Sequence, residues 1–288
     1  SVNISIIKGG TMLNIEEIGG SKSYIYSGGS FTALRTTSNT TLNFAANYSS
    51  ADNFIIDSNS RISLSNNDSG TSNTIFGKNA GASLDAGSNY NVFIGEGVSD
   101  ASMNDSTHNV GVGYTALSAL TTGDANTAVG ALAGEDLNTG TANTLMGKEA
   151  GKSLTNGDEN VIIGDGAGQT TTGIHDAVII GRGAAQNGNI TTAANGTVAI
   201  GYKSLEALTS GPTNTAVGFE ALKSNTTGEG NVAIGYRALD ANVAGAVNVA
   251  IGVDALGAYT GSYSVAIGRE ALRDATGGNA HTAVGLGA

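Results

Sequence analysis

Three histidines, His108, His175 and His281, are the only imidazoles in this chain, and they stand far apart. Histidine metal sites need ligands at short, fixed spacings, and no such pair exists here; the absence of cysteine also removes thiolate ligands and thiol nucleophiles. Gly164-Asp165-Gly166-Ala167-Gly168 is glycine-rich but lacks the order of a dinucleotide fingerprint. Gly147-Lys148 is followed by Glu149, where a phosphate loop needs Ser or Thr. No Gly-x-Ser-x-Gly elbow or catalytic triad can be assembled. Acidic residues gather in Gly- and Asn-rich stretches, as at Asp124, Glu135–Asp136 and Asp158–Glu159. Carboxylates of this kind can hold calcium, but the acidic calcium-binding nonapeptide repeat is missing, and solvated turns are the other reading. The expectation is a protein that is not an enzyme and has no catalytic, cofactor or metal site.

The remaining chemistry lies in rows of like residues. Each row is defined by its distance from a recurring glycine: Gly77, Gly95, Gly113, Gly130, Gly147, Gly164, Gly181, Gly201, Gly218, Gly235, Gly252, Gly268 and Gly285. Four places before it stands Asn, in nine of thirteen repeats, from Asn73 to Asn248; Ala177, Thr197, Ser264 and His281 interrupt the row. Stacked asparagines can hydrogen-bond along a ladder and cap the entry to each strand. Directly after the glycine stand Tyr202, Phe219 and Tyr236 in consecutive repeats, with Tyr114 further back. An aromatic stripe is a candidate carbohydrate or protein contact, and ladder packing is its structural alternative. Lys78, Lys148, Arg182, Lys203, Arg237 and Arg269 share that edge, either as contacts or as solubilising charge. The candidate contact surface is therefore Tyr202, Phe219, Tyr236, Lys203, Arg237 and Arg269.

The elements that position these rows follow from the period. Eleven of the twelve glycine spacings lie within one residue of 17, and the other, between Gly181 and Gly201, is 20. Such a short repeat marks a solenoid, whose units bury apolar surface only against their neighbours. Three places before the glycine the residue is always Thr or Val, and one place before it is always apolar, which is a period-two strand rich in β-branched residues. The residue between them, Ile75, Phe93, Leu145, Ile162 or Ile179 and mostly Ala elsewhere, is apolar too. Both strand faces thus require cover, one inside the coil and one from outside it. Three places after the glycine the residue is Ala in eleven of thirteen repeats, and the next is mainly Leu or Gly. This second wall is readable as a short strand or a helical turn. A tube of about 56 Å contour per coil has a poor ratio of core to surface, so lateral association of several identical chains is expected.

Composition agrees with a narrow repetitive rod. Of 288 residues 44 are Gly and one is Pro, and the apolar fraction of 40% is largely Ala, Val, Ile and Leu. A net charge of −11 opposes binding to nucleic acid or to an anionic membrane through a basic field. No apolar run approaches a membrane span and no signal peptide is visible, so no membrane insertion is expected. Ser at position 1 and a last repeat stopping at Ala288 read as a fragment or a processed chain. Residues 1–70 stand outside the period and hold six of the fifteen aromatics: Tyr24, Tyr26, Phe31, Phe44, Tyr48 and Phe54. Alternation at Asn3–Ile7, Ser23–Tyr26, Thr41–Phe44, Phe54–Ile56 and Arg61–Leu64 predicts a small β-rich module or shoulder, joined at Asn66–Ser72 to a rod of about thirteen coils over residues 71–288.

Ser264-Val265-Ala266-Ile267-Gly268, Asn231-Val232-Ala233-Ile234-Gly235 and Asn248-Val249-Ala250-Ile251-Gly252 resemble the head repeats of trimeric autotransporter adhesins. The unit Asn214-Thr215-Ala216-Val217-Gly218-Phe219-Glu220-Ala221-Leu222, followed by Thr226-Thr227-Gly228, is still more similar to repeats of bacteriophage tail fibres, and the lead-in from Asn53 to Asn67 adds to that likeness. The resemblance spans roughly residues 53–288. It implies an all-β, parallel β-solenoid of the left-handed β-roll type, with about 17 residues per coil, in a homotrimer. It further implies a virion-tail, extracellular location and, as partners, further copies of the chain, a host-surface glycan or protein, and other virion tail proteins. The alternative owner is a bacterial cell surface, with the chain as the head of a trimeric adhesin. The self-cleaving trimerisation chaperone that often follows phage rods has no match here, nor do the autotransporter stalk and anchor.

Overall fold

A computed structural model describes residues 72–288 in full and, before them, the backbone of six short strands. Two compact units divide the chain, Ser1–Ile62 and Ser63–Ala288. In the first, Asn3–Ile4, Leu13–Glu16 and Lys22–Ile25 form an antiparallel sheet, and Leu42–Asn43 pairs with Ile55–Ile56. Alternation anticipates all of the six strands except Leu13–Glu16. Of the aromatics noted in this region, Tyr26, Phe31, Phe44, Tyr48 and Phe54 lie outside the described residues, as does the expected junction apart from Ser72.

The second unit is a parallel β-solenoid. Thirteen three-residue strands, from Thr74–Phe76 to Thr282–Val284, stack in register at the same distance from their glycine. Glycine is compelled at the end of each strand. Its φ lies between 130° and 141° in all thirteen coils, where L-residues are strained. In every coil but the last, a Cβ there would also collide with the carbonyl oxygen of the next coil's glycine, as at Gly77 and Gly147.

The strand's middle residue points inward, and all but the last, Ala283, are buried. Its neighbours point outward. The Thr/Val row is half-buried, while Phe76, Ile94, Met146, Ile234 and Ile267 of the following row are 53, 37, 41, 40 and 39% exposed. Alternation alone would allow either the middle residue or its two neighbours to face inward, and the closure of the coil selects the middle one.

The second wall is neither strand nor helix but a run of hydrogen-bonded turns. The second and fourth residues after each glycine take positive φ whatever their type, among them Leu132, Glu220 and Arg237, then Leu117, Leu205, Leu222 and Leu239. Between them sits a buried small residue, alanine in most coils, such as Ala80, Ala133 or Ala238. The fourth residue then faces the strand across the interior: a Cβ on Gly81 would stand 2.9 Å from Ile75 Cδ1, and one on Gly111 would stand 3.6 Å from Leu117 Cδ1. Another buried row, Leu84, Leu120, Leu137, Leu154 and Leu208, continues as Asn225, Asn242 and Tyr259 and closes the coil.

Candidate functional site

The asparagine row is the most regular polar feature. Asn73 through Asn160 and Asn214 through Asn248 are buried. Each Oδ1 accepts the backbone N–H of the corresponding residue one coil on, at 2.8 Å for Asn73 to Asn91 and 3.0 Å for Asn231 to Asn248. Each Nδ2 donates to a turn carbonyl, for example Asn143 to Gly157 O at 2.7 Å. The side-chain amides are thus spent inside the ladder, and the row is a structural spine. Past Asn248 the ladder changes chemistry: Ser264 N–H takes the Asn248 Oδ1, and the Tyr259 hydroxyl lies 2.6 Å from Ser264 Oγ. Tyrosine and serine together fill the place of one asparagine.

The aromatic stripe is a stack. Because coils repeat at about 4.8 Å, side chains in one row meet face to face. Ring centroids of Tyr202 and Phe219 are 5.0 Å apart, and those of Phe219 and Tyr236 are 5.2 Å apart. The Arg182 guanidinium covers the free face of Tyr202 at 4.8 Å, and Arg237 lies 5.6 Å from the Tyr236 centroid. The ring faces are therefore occupied, and the stripe shows its edges to solvent. Tyr114 stands apart from this stack, exposed between Glu96 and Ala131 of its row.

Three basic residues of that edge, Lys203, Arg237 and Arg269, are held by carboxylates. Lys203 pairs with Glu206 at 2.8 Å, Arg237 with Glu220 at 3.0 Å and Arg269 with Glu270 at 3.0 Å. Lys223 completes the row, 2.9 Å from Glu220 and 4.0 Å from Glu206. Charge alternates both along the rod and within each coil: Lys203 and Glu206, then Glu220 and Lys223, then Arg237 and Asp240. Hydrogen bonding from Lys223, joined by Arg237, holds the Glu220 carboxyl below its ordinary value, and the bond to Glu206 raises Lys203. Asp240 moves the other way, because burial outweighs the attraction of Arg237.

The acidic turns do structural work as well. Asp124 Oδ1 accepts the Thr107 N–H at 2.6 Å, and Asp158 Oδ1 accepts that of Thr141 at 2.7 Å, so both stitch one coil to the one before. Among the described residues no group of three or more His, Cys, Asp or Glu is placed to hold a metal ion, and no helix is long and apolar enough to cross a membrane. His175 Nδ1 lies 3.2 Å from Asp158 Oδ2, His108 stacks on Tyr90, and His281 meets Tyr259 edge-on, so the three histidines stay apart in space as in sequence.

The fold and its rows define an all-β repeat protein of the parallel β-solenoid class. Compared with known protein families, curated proteins and solved structures, the chain matches none.

Proposed function

We propose that the chain is a structural and adhesive segment of a phage tail fibre or related receptor-binding appendage, a rigid homotrimeric rod that carries contact surfaces to a host-cell glycan or protein. One observation carries this reading: along the whole solenoid the outward strand face sets an unbroken apolar row, from Phe76 to Val284, beside a row of Val and Thr. Thirteen coils at about 4.8 Å and strands about 10 Å wide make a strip on the order of 600 Å², a size at which an apolar patch signals a partner. The strip repeats the same kinds of residue at every level, so its natural cover is the same strip of another copy. The family resemblance supplies the number three.

In this reading the trimer axis runs beside the strands, and the turns and the row after the glycines face the host. A receptor then meets the edges of Tyr202, Phe219 and Tyr236 and the alternating charges beside them, since the ring faces are stacked away. The work is mechanical: stiffness holds repeated contacts in one orientation, and other virion tail proteins tether the rod.

Because the chain has no cysteine, disulfide trapping reads the assembly directly. Ile234→Cys should give an oxidised, covalently paired chain, whereas Thr227→Cys, on an exposed turn, should not. Equal cross-linking at both positions, or at neither, would count against the face as the chain-to-chain contact. Ownership is read from the genes beside the coding sequence: virion structural genes support the fibre, and an in-frame outer-membrane anchor supports the surface adhesin.

A further inference from the structure

We propose that the coil between Gly181 and Gly201 is a fault line that divides the rod into two cooperatively folding blocks and is where the solenoid opens first. Four irregularities coincide there. The asparagine ladder ends at Asn160, whose Oδ1 reaches the Ala177 N–H; the Ala177 methyl cannot pass the bond on, and the Thr197 hydroxyl turns back to Ala194 O at 2.7 Å. The ladder resumes only at Asn214. The coil itself holds three extra residues and a 3-10 turn at Thr192–Ala194, with Thr191, Thr192 and Ala193 exposed.

The interior changes its filling at the same place, from Ile179 opposite Ala185 to Ala199 opposite Leu205. One coil earlier, Thr171 places a hydroxyl in the buried leucine row with no protein hydrogen-bond partner. Across the fault, the backbone bond from Lys203 N to Arg182 O stretches to 3.2 Å, against 2.9 Å for its counterparts from Glu220 to Tyr202 and from Arg237 to Phe219. The sheet runs on without a gap, because Val178 pairs with Val198 and Val198 with Thr215. What is lost is the buried asparagine link between coils, while at the surface Arg182 on Tyr202 and Asn187 with Glu206 still bridge the level. In a solenoid, neighbour coupling is what makes distant repeats melt together, so weakening it at one level separates the blocks on either side.

Native-state hydrogen exchange on the full chain, read by mass spectrometry, tests this. Amides of Val178 and Val198 should exchange on the order of tenfold faster than those of Ile162 and Ala233, as two missing buried hydrogen bonds imply. Equal protection across residues 161–234, or fastest interior exchange elsewhere, would overturn the proposal. The double substitution Ala177→Asn and Thr197→Asn rebuilds both rungs, with Ala194 O and Gly211 O as acceptors, and should remove the difference; unchanged exchange would reject the ladder as its cause. Should that variant fail to fold, Asn231→Ala opens an equivalent break in the second block. A new fast-exchanging level at Val232 and Val249 is then the supporting result, and unaltered protection there the contrary one.

Discussion

The coils before and after the fault build one cross-section from opposite materials. In the first block the strand usually supplies the bulk and the turn stays small: Ile75 with Gly81, Phe93 with Ser99, Leu145 with Gly151, Ile162 with Gly168. In the second block the strand is Ala199, Ala216, Ala233, Ala250 or Ala266, and Leu205, Leu222, Leu239, Leu256 or Leu272 supplies the bulk from the turn. The exceptions follow the same logic. Gly111 meets Leu117, and Gly134, opposite Ala128, is filled in from the coils on either side by Leu117 and Leu145. A narrow solenoid therefore conserves the interior volume of each level, and the residue at any one position only as part of a pair. The blocks differ outside too, since the aromatic stack and the alternating ion pairs belong to the second.

That pairing can be broken, with the largest effects expected in the core. Leu239→Gly should lower stability by about 2–4 kcal/mol through the cavity it leaves, and Ala233→Ile by about 1–3 kcal/mol through overpacking. Combined, they recreate a first-block coil, so the double variant should be more stable than the sum of the two losses by about 1–3 kcal/mol. Denaturant unfolding of the four proteins checks this, and strict additivity would mean that the two columns do not fill one space.

The charge rows sharpen the comparison through pH. Glu220 titrates below its ordinary value, so its contribution is present in full above the unfolded carboxyl pKa of about 4.3 and is lost as pH falls through the folded value. Glu220→Gln should therefore destabilise the second block at pH 7 and make little difference at the acid end. Asp240 has the opposite sign: its folded value is raised, so its ionisation opposes folding once pH exceeds the ordinary carboxylate range. Asp240→Asn should raise the melting temperature at pH 7 and lose that advantage in acid. Identical pH profiles for the two variants would refute the assignment.

The smallest effect lies where the alternation breaks. Asp254 has glycine, Gly257, where its neighbours carry a partner of opposite charge, and a Cβ there would meet Asp254 O at 3.3 Å and Arg273 Cγ at 3.4 Å, the latter part of a flexible side chain. Gly257→Lys should stabilise by roughly 0.5–1 kcal/mol, from reduced unfolded-state freedom and a surface ion pair. A thermal melt shifted downward would show that the site is too tight.

Much of this architecture was legible from residue spacing. The glycine column, the strands before it, the asparagine ladder and the stacking of Tyr202, Phe219 and Tyr236 all follow from a period that brings like residues together. Which strand face is inside was not legible, because Val232, Ala233 and Ile234 are all apolar and only the closure of the coil chooses among them. The turn conformation was hidden for another reason: Leu117, Leu222 and Leu239 occupy a left-handed region that leucine avoids locally, and tertiary packing imposes it. The closing row escaped notice because its chemistry changes from Leu154 to Asn225 to Tyr259 while its place in the coil does not. Its signal was the paired departure of Tyr259 and Ser264 from the repeat.

The outward apolar face is the claim on which assembly and function both rest, and the solution mass of the purified chain tests it most directly. Light scattering should return three times the 28.5 kDa of one chain, and Ile234→Asp should lower that mass while leaving the β-sheet circular dichroism in place. A single-chain mass for the unaltered protein would contradict the account and leave the face to some other cover.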